Sequence, residues 1–356
     1  MRPTPFSDAV ETQTFTRKAF LSAALFVLIV LTWALSDVLV LVFGSIVLAV
    51  ALRGLHRATG KWLHVPPRAR LITSLLIVAA VLGGCGWLVG DALTEQLSSV
   101  EEQLPQAWKQ LKTWLAQHTW GIQVNRLLND ALRTSMSMPK LANAAGATLG
   151  AVGSSLLVLI LSIYFCAEPE LYRRGVLRLC PLSWRGDVSS ALLHSGQALE
   201  RWLIGQGISM MFLGVTTTIG LLLIQAPLAL GLGLITGLLC FVPFFGAVAA
   251  GVIAVLIAFA DSPTTALHVG LLFLAIQQAE EYLVTPSVQR WAIALPPAMT
   301  LISTLVFGTL MGVLGAVFAT PLMVVLMTLV NDLFVQRVIE RTPLKQSESE
   351  PFRTGT

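Results

Sequence analysis

The sequence predicts an all-α integral membrane protein with about six transmembrane helices, two broken or re-entrant helical hairpins and one external amphipathic helical region. Three observations predict it. Apolar residues fill 55% of the 356 positions and charged residues only 12%, with a mean hydropathy of +0.77; soluble domains carry about 25% charged residues. The apolar residues gather into runs near the length of a bilayer crossing, about 17–25 residues. Two of those runs, Pro227 to Ala260 and Ala298 to Phe334, are too long for one ordinary span and are interrupted by proline and glycine.

The elements follow in order. Residues 1–19 form a polar tail with Arg2, Arg17 and Lys18. Phe20 to Leu35 is apolar and reads as a span rather than a signal peptide, because Ala34-Leu35-Ser36 is a poor cleavage site and a second apolar run follows at once. That run, Val38 to Leu52, is separated from the first only by Ser36 and Asp37, which predicts a tight hairpin. Arg53, Arg57, Lys61, Arg68 and Arg70 crowd the next loop, with Pro66-Pro67. Leu71 to Gly90 is the third span, and its Gly83-Gly84-Cys85-Gly86 cluster permits close helix approach. Residues 20–90 thus hold the first three spans.

Residues 91–145 differ. Leu93, Leu97, Val100, Leu104, Trp108, Leu111 and Leu115 recur at steps of three and four, one face of a helix. Glu95, Glu102, Gln106, Lys109 and Lys112 fall on the other face. A weaker amphipathic piece runs from Ile122 to Met138. Such a stripe suits a membrane-surface helix, an oligomer contact, a cap over a cavity, or packing on the body of the same chain.

Gly146 to Ala167 is the fourth span. Residues 168–203 are polar and mixed in charge, with Pro181 dividing two helices; together 146–203 hold that span and its linker helices. Leu203 to Gln225 is the fifth span and carries Gln206, Ser209 and Thr216-Thr217-Thr218. Pro227 opens the first broken run, which is interrupted at Phe241-Val-Pro-Phe-Phe-Gly246. Pro243 there cannot continue a helix without losing a backbone bond. Each arm of about 15 residues reaches roughly 22 Å, short of a hydrocarbon core of about 30 Å, which favours a re-entrant hairpin. Thr264 to Thr285 is the sixth span, ended by Pro286. The second broken run is interrupted by Gly308, Gly312, Gly315 and Pro321, and a charged tail covers 335–356. Residues 204–334 make up the expected transport core.

Charge placement orients the chain. Lys109, Lys112, Arg126, Arg133 and Lys140 are the Lys and Arg residues of 91–145; with both termini in the cytoplasm, all other Lys and Arg fall on the inner side. The positive-inside rule favours that arrangement. A span followed by a broken pair, repeated with opposite entry sides, is the layout of an inverted repeat, where discontinuous helices meet at the binding site of secondary transporters.

The chemistry concentrates at Leu274 to Pro286, LAIQQAEEYLVTP. Ionisable groups in a span are expensive and face the bundle interior or a wet cavity. Gln277 and Glu281 are four apart and share a face, while Glu280 points about 100° away. Glu280 or Glu281 reads as a proton- or cation-coupling carboxylate or a polar ligand for substrate; the plain alternative is an acid that reaches the membrane interface. Pro243 and Gly246 expose backbone groups at the first break, or only bend it. The glycines of both broken runs suit close packing, and Gln206 and the threonines allow either a ligand or a local backbone bond. Cys85, Cys166, Cys180 and Cys240 form no CxxC pair and read as small buried hydrophobes. Among motifs with chemistry there is no GxxxxGK[ST], HExxH or GxSxG and no basic-aromatic pattern. The sequence therefore points away from an enzyme, a cofactor, a metal and nucleic acid.

These residues resemble the autoinducer-2 exporter family of bacterial inner-membrane, permease-like proteins. The likeness is carried by Trp202-Leu-Ile-Gly-Gln206, Pro227, the break at 241–246, Gln277 and Glu280 ahead of Thr285-Pro286, the Leu295-Pro296 pair, and Gly308 through Pro321. Residues 1–199 match in layout alone. The resemblance implies a secondary transporter of a small molecule or ion in the lipid bilayer, assembled as a homo-oligomer, with a pentamer one option. It links some relatives to export of the quorum-sensing signal and others to sodium–proton exchange. The function expected is thus ATP-independent transport, proton- or sodium-coupled, with substrate near Pro243, Gly246, Gln277 and Glu280. A membrane scaffold and a passive channel are the rival readings.

Overall fold

A computed structural model describes residues 34–62, 95–117 except 97 and 101, 148–284 and 295–339, with positions 30 and 286. Every element among the described residues is helical. The expected span at 20–35 lies almost wholly outside them, as do the third span, Leu71 to Gly90, and the piece from Ile122 to Met138.

Helix α1, Ser36–Trp62, runs well past the predicted end of the second span. Nothing between Leu52 and Trp62 breaks a helix as proline would, so Arg53, Arg57 and Lys61 sit on a helical extension rather than in a loop. Arg57 Nη1 meets Glu200 Oε2 at 2.6 Å. Helix α2 covers residues 98–100 and 102–116 of the amphipathic region, with Ala107 and Leu115 buried and Glu102, Gln106 and Lys109 exposed. Helix α3, Thr148–Ala167, and helix α4, Pro169–Leu179, meet at a bend of 85°. The proline at the first position of α4 lacks the N–H that would continue α3. Cys180 caps α4 and is half-exposed, against the expectation of burial; Cys166 and Cys240 are buried as expected, and all three thiols are free.

Helix α5, Arg185–Leu223, is one uninterrupted helix of 39 residues. The second linker helix and the fifth span are therefore a single rod. Its apolar part begins at Trp202, and the 21 residues on to Leu223 cover about 31 Å, a hydrocarbon thickness. Helices α6, Ala229–Leu239, and α7, Phe245–Asp261, form the first broken pair. Helix α8, Pro263–Ala279, is capped by Ser262 Oγ, which accepts from Thr265 N, and it continues as a π-helical segment, Glu280–Val284. Helix α9, Pro297–Val330, contains the second break, and a π-helical segment, Asn331–Ile339, follows. By length and composition Ser36–Gly54, Leu182–Leu223 and Pro297–Val335 can each cross a membrane, and the α3–α4 pair makes up to a fourth.

Both breaks reverse the chain by the same device. A Cβ placed on Gly246 would land on the carbonyl oxygen of Leu239, and one on Gly315 would land on the carbonyl oxygen of Phe307. In a straight helix residues seven or eight apart are about 10–12 Å apart, so the arms must fold back. At the first break Phe245 N donates to Pro243 O at 2.7 Å around Phe244, whose φ of 64° and ψ of −57° define the strained form of the γ-turn. At the second the backbone turns at Gly312, with φ 67° and ψ −151°, a region open to glycine alone. The second break thus sits at Gly312; Pro321 lies inside the second arm, contrary to its reading as a break.

The hairpins enter from opposite ends. Gly231 N, in the first turn of α6, donates to Gln96 Oε1 at 2.7 Å, and Phe259, at the far end of α7, packs edge-on to Trp114 at 5.5 Å. Both outer ends of the first hairpin therefore meet the amphipathic region. Val100 joins Leu221, Leu232, Ile257 and Val269 in one core cluster there. At the opposite end Trp202, Leu199 and Val47 pack with Val324 of α9 and with Phe241 and Leu295. Beyond it His194 Nδ1 meets Asp332 Oδ2 at 2.6 Å. The stripe predicted in residues 91–145 packs on the body of the same chain.

Gly315→Ala and Gly312→Ala are each expected to lower stability by about 1–3 kcal/mol, the first by overpacking and the second by backbone strain. Gly207→Ala, whose Cβ meets nothing within 4 Å, should leave it unchanged. Thermal unfolding of the purified variants in one detergent checks this.

Candidate functional site

A cavity of about 880 Å³ lies between α5, α7, α8 and the second hairpin. Helical spacing builds its walls. Trp202, Gln206, Ser209 and Leu213 recur at steps of three and four, so one stripe of α5 faces it. Gly270, Phe273, Leu274 and Gln277 do the same on α8, and Val248, Gly251, Val252 and Val255 on α7. Trp108 and Leu111 of α2 close one end, and Thr300 and Thr320 come from the two arms of the second hairpin.

Five of the six predicted binding residues line this one cavity: Gln206, Pro243, Gln277, Glu280 and Glu281. Gln277 and Glu280 are half-buried and Glu281 is exposed. Gly246 is buried behind the wall and makes the reversal instead. The residues read as hinges lie elsewhere. Pro227 sits in the turn between α5 and α6, Pro286 follows the π-helical segment, and Gly308, Gly312 and Gly315 belong to the second reversal. A Cβ placed on Gly308 would lie 3.4 Å from the Ala316 Cβ across that reversal, an ordinary contact.

Gln277, Glu280 and Glu281 all line the cavity; Gln277 precedes the two acids by three and four residues, the spacings that share a helix face, and the winding becomes π-helical from Glu280. Ser209 Oγ donates to Glu280 Oε1 at 3.1 Å, tying that carboxylate to α5. Gln206 Nε2 donates to the carbonyl of Cys240, one of the groups left without a helical partner where α6 ends.

Sequence reasoning missed Ser209, Thr300, Thr320, Trp108 and Leu111 as lining residues. Ser209 was within reach, being three positions after Gln206 on the same face. Thr300 and Thr320 had no local signal, since only the fold of the second hairpin brings them here. Among the described lining residues the two glutamates alone carry charge, and most of the remaining wall is apolar. No group of three or more His, Cys, Asp or Glu that could hold a metal ion occurs among the described residues.

A family profile described as AI-2E family transporter matches residues 21–334. Three relatives bear the name "Putative transport protein". One, YrrI of Bacillus subtilis (strain 168), is 26% identical over 303 residues, 80% of this chain and 84% of its own. Another, from Synechocystis sp., is 25% identical over 293 residues, 76% of this chain and 83% of its own. A third, from Mycobacterium tuberculosis, is 29% identical over 313 residues, covering 83% of each.

Gln206→Leu removes the donor to the Cys240 carbonyl and is expected to cost about 1–3 kcal/mol. Because that bond holds the tip of the first hairpin, alkylation of Cys240 in a variant lacking the other three cysteines should speed up with it. Mass spectrometry of thiol labelling over time reads the change.

Proposed function

The chain belongs to the AI-2E transporter family, and from that premise we propose that it is an ATP-independent secondary transporter of a small molecule or ion through the cavity between its two hairpins. It is a multi-pass membrane protein built for transport. The observation that carries the finer reading is the convergence of Gln206, Pro243, Gln277 and Glu280 on one cavity, beside a strained break and a π-helical turn. Polar side chains within an apolar helix are costly, and a cavity that collects them is where a bound solute offsets that cost.

The hairpins supply the moving parts of this reading. Each is an apolar arm pair folded on itself, entering from its own end of the bundle, and each places residues on the cavity wall. Tilting one against α5 opens the cavity at one end while the other end stays sealed. Glu280 is the coupling group. Its carboxylate, held by Ser209, can exchange a proton or a cation as the cavity changes sides. The distribution of Lys and Arg supports a bacterial inner-membrane setting with both termini cytoplasmic and α2 on the outer face. A homo-oligomer remains part of the reading, as the sequence resemblance implies.

The test is gradient-driven flux in proteoliposomes. An imposed pH or sodium gradient should move protons through the wild type. Glu280→Gln should abolish that movement, at least tenfold, with the protein still folded and inserted. Val252→Trp, which fills the cavity, should abolish it too. Flux unchanged in Glu280→Gln would remove that residue from the mechanism, and flux that ignores the opposing gradient would make the protein a channel.

A further inference from the structure

The cavity has two unlike ends, and that asymmetry describes what it holds. Towards α2 the wall is hydrocarbon: Trp108, Leu111, Val252, Val255, Leu256 and Phe273. Towards the tip of the first hairpin it carries Gln206, Ser209, Gln277, Glu280 and Glu281, faced by Thr300 and Thr320. Gly270 and Glu280 lie ten residues apart on α8, so the two ends are about 15 Å apart. A volume of about 880 Å³ falls within the range of small-molecule sites, roughly 300–1,000 Å³.

The charge on the described part of the polar end is negative. Both charged side chains among the described lining residues are carboxylates. At the α2 end Lys112 stands 5.2 Å over the Trp108 ring. Thr320 is 2% exposed, yet its hydroxyl has no hydrogen-bond partner among the described residues. A buried hydroxyl left unpaired is unusual, and a ligand group is one way to satisfy it. A head that donates hydrogen bonds and carries positive charge fits this end, whereas an anion would face two carboxylates.

We propose that the cavity binds an amphipathic amine, with its ammonium against Glu280 and Glu281 and an apolar body of ring or short-chain size against Val252, Val255 and Phe273. This assignment rests on the transport reading above and names the substrate class of that same cavity. A primary amine is protonated near neutral pH, as the lysine side chain is. Each methylene added to the apolar body tightens binding by about fourfold while the hydrocarbon end has room.

The experiment is equilibrium binding of radiolabelled 2-phenylethylamine to the full chain in nanodiscs, with empty nanodiscs as background. Three competitors are compared: the unlabelled amine, 3-phenylpropionate, which reverses the charge, and ethanolamine, which lacks the apolar body. Saturable amine binding at least tenfold tighter than either control supports the assignment. Glu280→Gln should weaken the amine at least tenfold and narrow its lead over the carboxylate. Val252→Trp should weaken amine and carboxylate alike. Equal or tighter binding of 3-phenylpropionate, ethanolamine as effective as phenylethylamine, or no saturable binding to folded wild type would overturn it. Parallel flux measurements separate the two readings. Charge-selective binding without flux of any solute removes transport and keeps the site, while gradient-driven flux without amine binding keeps transport and removes this substrate class.

Discussion

Backbone N–H and C=O groups inside a bilayer have no water to bond, so each must be satisfied within the protein. Two chain reversals in apolar surroundings put that requirement under the greatest pressure, and much of the architecture answers it. At the first, the γ-turn bond from Phe245 N to Pro243 O and the bond from Gly246 N to Val242 O close part of the gap. Gln206 supplies the donor that the Cys240 carbonyl would otherwise lack. Pro243 contributes by having no N–H to satisfy at all. Each reversal also needs a glycine where two backbones touch, and Gly246 and Gly315 stand there. Phe244 holds positive φ without being glycine, a strain that persists only where the surroundings over-determine the backbone.

That same arrangement builds the cavity. Because each arm pair folds on itself, neither hairpin fills the space beside α5 and α8 as two full helices would. Close glycine contacts then lock the first hairpin to α5. Gly233 and Gly237 lie against Gly214, Thr218 and the Met210 carbonyl, where no side chain would fit. Small residues make that approach possible where apolar packing alone gives no preference for protein over lipid. The hairpin therefore sits against one face of α5, and the stripe from Trp202 to Leu213 stays open to the cavity.

The sequence was most legible where composition and spacing speak for themselves. Apolar run lengths, the two interruptions and the stripe of α2 all follow from local rules. So does the convergence on Gln277 and Glu280, since polar residues in a span must go somewhere polar. Three things were illegible for physical reasons. The π-helical winding at Glu280 depends on tertiary space, which a local sequence pattern does not carry. The length of α5 was hidden because its first half is polar and its second apolar, and composition marks solvent rather than helix ends. The second break lay among four candidate residues, and only the backbone angles select Gly312 over Pro321. A proline can be carried inside a membrane helix when neighbours satisfy the freed carbonyl.

Helix α2 deserves its place in this scheme because of what it touches. Gln96 holds the start of α6, Trp114 packs on the end of α7, and Trp108 and Leu111 cover the cavity between. The amphipathic region thus meets both outer ends of the first hairpin, so any motion of that hairpin relative to α8 must either carry that region along or break its contacts. The contacts are unequal. Val100 and Leu115 are buried, and losing such burial costs of order 1.5–3 kcal/mol apiece. The Gln96 bond, between uncharged groups, contributes about 1 kcal/mol. Val100, however, shares one cluster with Leu221 of α5, Ile257 of α7 and Val269 of α8, and the glycine contacts hold α6 against α5, so sliding the hairpin past α5 and α8 would have to open both.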